Sequence, residues 1–190
     1  MISVSDTVRD TRSVHFNAFI FVRAMSSDRL YGLPPAVNKQ TRLLILGSFP
    51  GAASLAAGQY YAHPRNQFWA LLSAILEEDL THMHYPQRLK RLNAHGIGVW
   101  DVIASCERSG SLDAAIRKAR LNDFSKLKKH CPHLKCLCFN GKTAGCHSPH
   151  FAREGFVTAI LPSSSPANAQ LSFAQKLISW RAMLQAGLIR

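Results

Sequence analysis

Three short stretches hold the side chains best suited to chemistry. The first runs from Gly47 to Trp69 and carries Ser48, Tyr60, Tyr61, His63 and Asn66. A carboxamide such as Asn66 can hold an attacking water without being a strong base. One residue ahead of a helix that starts at Gln67, it is equally suited to capping that helix. The second is Asp101, at the end of an apolar run. Its carboxylate accepts from an N–H and repels a lone pair, so it suits the hydrogen-bonding edge of a heterocycle; it equally suits a cap on the next turn or a pair with Arg108. The third is Leu161-Pro162-Ser163-Ser164-Ser165-Pro166-Ala167-Asn168. Its hydroxyls and amides suit phosphate oxygens, and such loops are also ordinary turns. His63 reads either as a contact to a phosphate or leaving group or as a structural loop residue.

Other chemistries fit less well. Between His130 and His150 lie Cys131, Cys136, Cys138, Cys146, His133 and His147, which invites a zinc site. The paired spacing of such sites is missing. Cys136 and Cys138 alternate within a predicted strand, so their side chains share a face and sit close. Free buried thiols are the better account, and no metal and no cofactor are expected. Asn140-Gly141-Lys142-Thr143 echoes a phosphate-binding loop, but Cys136 stands where the first glycine is required. Lys142 instead suits a nucleic-acid phosphate. No Gly-x-Ser-x-Gly elbow exists.

The chain as a whole points to a polyanionic partner. Its 190 residues carry a net charge of +12, with 47% hydrophobic and 18% charged residues, the balance of one globular domain. Five cysteines, an odd number, with no clear secretory signal fit a reducing compartment. The longest N-terminal apolar run, Phe16 to Val22, is broken by Asn17 and followed at once by Arg23. No membrane span and a cytoplasmic, DNA-associated location are expected. Residues 1–24 read as a flexible or extraneous extension, with Met25-Ser26-Ser27-Asp28 as an alternative start. Residues 25–190 read as a single domain, expected to be monomeric.

The elements that must position these residues alternate. Arg42 to Leu46 reads as a doubly covered parallel strand ending at Gly47. The segment from Ser48 to Asn66 reads as a loop, and Gln67 to Glu78 as a helix. Pro86 opens a second helix, with Leu89 and Leu92 on one side and Arg88, Lys90 and Arg91 on the other. Gly98 to Ile103 reads as a strand running into a polar loop, Asp113–Ala119 and Asn122–His130 as helical. Lys135 to Phe139 and Val157 to Leu161 read as strands. A last helix presents Phe173, Leu177, Trp180 and Leu184 on one face. Alternating strands and helices imply an α/β fold with a mainly parallel sheet, whose site lies beyond the carboxyl ends of the strands. The three stretches converge there.

Gly47-Ser48-Phe49-Pro50-Gly51 followed by Tyr60-Tyr61-Ala62-His63-Pro64-Arg65-Asn66-Gln67-Phe68-Trp69 resembles the first motif of the uracil-DNA glycosylase superfamily, in its mismatch-specific branch. The serine-proline loop resembles the second motif, which wedges into the duplex. With Gly110-Ser111-Leu112-Asp113, the pattern is most similar to the hypoxanthine (deoxyinosine) DNA glycosylase family, from about Leu33 to the C-terminus. One departure stands out. The usual catalytic acid or amide two positions after the motif-one glycine is Phe49 here, and the second motif begins with Leu161 rather than His or Asn. The hypoxanthine family shares this absence and is thought to use the later asparagine, Asn66.

The resemblance implies a three-layer α/β/α sandwich on a central four-stranded parallel sheet. It implies a monofunctional enzyme that flips a deaminated base, chiefly hypoxanthine, out of DNA and hydrolyses its glycosidic bond. The base pocket would comprise Gly47, Ser48, Phe49, Pro50, Gly51, Tyr61 stacking on the base, and Asp101 reading its edge. DNA contacts and the wedge would fall to His63, Lys142, Ser163, Ser164, Ser165, Pro166 and Asn168. The alternative reading is a binding protein on the same fold that has lost catalysis.

Overall fold

The computed structural model describes residues 29–189; the extension 1–24 read from the sequence lies outside them. In chain order the elements are β1 (Leu30–Tyr31), β2 (Leu43–Gly47), α1 (Ala52–Ala57), α2 (Phe68–Leu76), α3 (Tyr85–Ala94), β3 (Ile97–Asp101), β4 (Ile103–Glu107), β5 (Arg117–Leu121), α4 (Leu127–His130), β6 (Cys136–Asn140), α5 (Lys142–Gly145), α6 (Ser148–Arg153), β7 (Val157–Leu161) and α7 (Phe173–Ile189).

Four strands form a parallel sheet in the order β3-β2-β6-β7. All five residues of β2 are buried, which is why its sequence is an unbroken apolar run. Helices cover both faces, giving the expected three-layer α/β/α sandwich. Phe68 of α2 meets Trp180 of α7 edge-on, with ring centroids 5.9 Å apart, while Phe151 of α6 packs on Phe139 of β6 and on Phe124. From β2 the chain winds outward to β3, then returns across to β6 and on to β7. The order reverses between β2 and β6, so a crevice opens beyond Gly47 and Asn140, where ligands of such sheets bind.

A second, antiparallel sheet has the order β1-β4-β5. The sequence reading missed it. Beyond Ile103 a polar loop was expected, where β4 continues to Glu107, and Asp113–Ala119 was expected to be helical, but a single 3-10 turn at Asp113–Ala115 precedes β5. Every residue of β5 is exposed, so its sequence carries no alternation of apolar and polar positions to mark a strand. The expected helix over Asn122–His130 shrinks to the single turn of α4. The Ser48–Asn66 loop contains α1, which Gly58 ends in the left-handed region at φ +62°. The helix expected to reach Glu78 stops at Leu76, with Glu77 left-handed after it.

Candidate active site

All the site residues read from the sequence line one cavity of about 800 Å³ at the carboxyl ends of the sheet. Gly47–Gly51 enter from β2, Tyr61, His63 and Asn66 from the long connection to α2, and Asp101 from β3. Lys142 enters from α5 and Ser163–Asn168 from the loop after β7. Asp113 and Asn140, which stand in motifs quoted from the sequence but carry no site role there, also line it.

Asp101 is a deeply buried part of this wall. It is 3% exposed, and its Oδ2 is buried without a hydrogen-bond partner. It forms no ion pair with Arg108, the pairing left open by the sequence. Arg108 instead lies 5.0 Å above the Phe49 ring and donates to the Pro50 carbonyl at 2.5 Å. Burial, then the negative charge of Asp113, push the Asp101 carboxyl up to about 8, against a smaller downward pull from Arg108. The carboxyl therefore keeps its proton at neutral pH in the free protein. Asp113 is held by the Ser48 hydroxyl, which donates to its Oδ2 at 2.7 Å.

The two tyrosines divide as packing dictates. Tyr60 is 3% exposed and donates its hydroxyl to the carbonyls of Leu33 and Pro34, at 3.1 and 3.0 Å, so it anchors the loop. Tyr61 adopts φ +55° and lays one ring face on Phe68, centroids 3.7 Å apart and planes 15° from parallel. Its hydroxyl is buried without a partner. Burial and the neighbouring Asp101 raise the pKa of both tyrosines, so neither ionises near neutrality.

The N-cap of α2 is Gln67 rather than Asn66; Asn66, one residue earlier, makes an Asx turn in which its Oδ1 accepts from the N–H of Phe68, the first helical residue, at 2.9 Å. A carboxamide oxygen has a second lone pair, so this bond leaves acceptor capacity toward the cavity. His63 is exposed, and its Nδ1 accepts from the Arg65 N–H at 3.1 Å. That bond places the ring proton of neutral His63 on Nε2.

The serine-proline loop is built around a buried serine. Ser164 is fully buried, and Asn140 holds it twice, the side-chain amide donating to its hydroxyl at 2.8 Å and the carbonyl oxygen accepting its N–H at 2.9 Å. The Ser164 carbonyl in turn accepts from the Gln67 N–H at 3.0 Å, joining this loop to the start of α2. Pro166 and Ala167 form the exposed tip. Ser164, expected among the DNA contacts, is thus an anchor in this structure. The Cys136 and Cys138 sulfurs lie 3.8 Å apart and buried, the proximity expected from their alternation.

Residues 34–183 match the family model of the uracil DNA glycosylase superfamily. The chain belongs to that superfamily. It is 45% identical over 137 residues to the hypoxanthine DNA glycosylase of Methanosarcina barkeri, spanning 72% of this chain and 87% of the relative. It is 40% identical over 154 residues to the hypoxanthine DNA glycosylase of Methanosarcina acetivorans, spanning 81% and 97%. The solution NMR structure of a candidate uracil DNA glycosylase from Methanosarcina acetivorans superposes with a TM-score of 0.77 at 39% identity, covering 85% of this chain and 99% of that one. The superfamily's fold is the one expected from the sequence. No helix among the described residues is long and apolar enough to cross a membrane.

Proposed function

We propose that this chain is a monofunctional DNA glycosylase that removes hypoxanthine from deoxyinosine and leaves an abasic site, acting as a monomer in the cytoplasm. Uracil and xanthine, which also carry a ring N–H beside a carbonyl, are further candidate substrates. The observation that carries this reading is the convergence of both motif loops on one cavity whose wall holds Asp101, buried and with an unpartnered oxygen. A buried unpaired carboxyl oxygen costs free energy that a ligand donor offsets.

The stacked base hides its glycosidic bond, so the nucleotide must first leave the duplex, at a cost of a few kcal/mol. Pro166 and Ala167 at the loop tip fill the gap, and Lys142 and the Ser163 and Ser165 hydroxyls meet phosphates. The extruded base enters beside Tyr61, and its N1–H donates to Asp101. Cleavage moves the C1′–N9 electrons onto the base, leaving positive charge on the sugar. A water oriented by Asn66 adds to C1′ and loses a proton, while the base gains one. On this reading the Nε2–H of His63 donates toward the departing base. These are fixed hydrogen bonds and dipoles rather than a strong base, which is the form of catalysis open to a site with Phe49 where an acid usually stands.

A carboxylate at Asp101, as expected from the sequence, repels the N1 lone pair of adenine. Its proton, kept up to about pH 8, changes this. As a neutral acid it can donate to adenine N1 as well as accept from hypoxanthine N1–H, so rejection of adenine sharpens as Asp101 ionises.

The test is a set of duplexes carrying one deoxyinosine, deoxyuridine, deoxyxanthosine or normal base, with free base and alkali-labile sites measured after single turnover. Hypoxanthine release from the deoxyinosine duplex is the expected result. Tight binding with no release of any base supports the non-catalytic alternative.

A further inference from the structure

Lys176 is 2% exposed on α7, a strongly basic group taken almost wholly out of water. No carboxylate among the described residues pairs with it, and burial alone lowers its pKa. Its Nζ donates to two neutral acceptors, the Gln67 Oε1 and the Asn168 carbonyl, each at 2.8 Å. Gln67 follows Asn66 and precedes the first residue of α2; Asn168 ends the serine-proline loop. One buried ammonium thus joins the two motifs.

The rest of α7 repeats the contact. One turn on, the Trp180 Nε1 donates to the Pro162 carbonyl at 2.8 Å, at the other end of the same loop. Between these two anchors the loop is closed on itself: the Asn168 side chain donates to the Ser163 carbonyl at 3.1 Å, and its N–H donates to the Ser165 carbonyl at 3.0 Å. The Pro166–Ala167 tip is exposed, tied by the Ala167 N–H, which donates to the Ser165 hydroxyl at 3.2 Å. Burying an ammonium without a counter-ion is costly, and an apolar side chain would fill the same α7 face more cheaply. The cost is explicable if Lys176 holds the loop and the Asn66 turn in fixed relation.

We infer that Lys176 is a positioning residue: with Trp180 it holds the serine-proline loop and the turn carrying Asn66 as one rigid unit, so that insertion of the loop tip into DNA and alignment of Asn66 on the extruded nucleotide occur together. This rests on the proposed glycosylase reading. Misplacing a catalytic group by about 1 Å costs on the order of a hundredfold in rate, so a loosened unit slows the step after DNA binding rather than binding itself.

The experiment compares wild type, Lys176→Met, Lys176→Arg and Trp180→Phe, each checked by circular dichroism to be folded at the assay temperature. Three quantities are read on one duplex with deoxyinosine beside 2-aminopurine: affinity, fluorescence gain on base extrusion, and single-turnover hypoxanthine release. Lys176→Met is expected to keep affinity within about threefold while release falls about tenfold or more and the fluorescence gain shrinks. Lys176→Arg, which keeps a cationic donor, restores most of both. Trp180→Phe, which keeps a smaller aromatic ring and loses the donor to the Pro162 carbonyl, shifts both in the same direction by less and serves if Lys176→Met does not fold. Folded variants with wild-type release and fluorescence gain overturn the inference, because a purely structural lysine would lower the unfolding temperature alone. Wild type that releases nothing would overturn the glycosylase reading instead.

Discussion

Gly47 and Asp101 are register partners on neighbouring parallel strands, and the Asp101 carboxylate leans across the space above the Gly47 Cα: a methyl group there would lie 2.3 Å from its Oδ1. In-register neighbours of a parallel pair point to the same face of the sheet, so only a residue without a side chain lets the carboxylate cross. The same methyl would come 3.2 Å from the Tyr61 hydroxyl. The glycine that ends β2 is thus the space in which two pocket groups meet.

Gly47→Ala is accordingly expected to displace Asp101 and to lower single-turnover hypoxanthine release by at least about tenfold, with a modest loss of stability from overpacking. Release measured beside a thermal melt checks this. Wild-type release would mean that the position of Asp101 does not matter to the reaction.

Tyr61 is proposed to act through its ring. Its hydroxyl is buried and unpartnered, so Tyr61→Phe removes an unsatisfied group and should leave release within about threefold and stability equal or higher. Tyr61→Ala removes the ring from both the base and Phe68, and base stacking of roughly 1–3 kcal/mol predicts a loss of at least tenfold. Equal losses in the two variants would place the role on the hydroxyl instead.

The Asp101 carboxyl sets a pH dependence of known sign. Asp113 opposes its ionisation, Arg108 favours it, and Tyr60 and Tyr61 stay neutral. Its folded pKa, about 8, stands above the ordinary aspartate value of 3.8. Between these values the folded protein keeps a proton that the unfolded chain loses, so stability falls as pH rises across the window, by at most about 1.4 kcal/mol per pH unit. Asp101→Asn lacks this loss. Its unfolding temperature relative to wild type should rise between pH 5 and pH 8.5, and a constant difference would contradict the raised pKa. In wild type, selectivity for hypoxanthine over adenine should increase as pH passes about 8.

Much of the site was legible because its residues sit where apolar runs stop. Leu43–Leu46, Ile97–Trp100 and Val157–Leu161 are strands whose carboxyl ends lead into the loops that carry the motifs, and a parallel sheet gathers those ends. What stayed hidden depends on contacts between distant segments. Asn140 closes β6 and carries no local mark of its grip on Ser164, which lies 24 residues away. Lys176 left a trace: it stands among Phe173, Leu177, Trp180 and Leu184, a charged residue inside an apolar helical face. Its acceptors, Gln67 and Asn168, show only in the fold. The small antiparallel sheet was missed because β5 is basic and exposed throughout, so no apolar face marks it and its residues register by backbone pairing with β4 and by the Lys118–Glu107 ion pair.

The most direct test of the account is single-turnover release of hypoxanthine from a duplex with one deoxyinosine, by wild type, Asn66→Ala and Asn66→Asp, beside thermal melts of all three. Asp makes an Asx turn about as well as Asn, so Asn66→Asp should keep the hydrogen bond to the Phe68 N–H that Asn66→Ala loses, about 1 kcal/mol. The account predicts release by wild type, a loss of at least a hundredfold in Asn66→Ala, and a large loss in Asn66→Asp despite an unchanged melt, because the carboxamide and not the turn orients the water. Normal release by a correctly folded Asn66→Ala would contradict it.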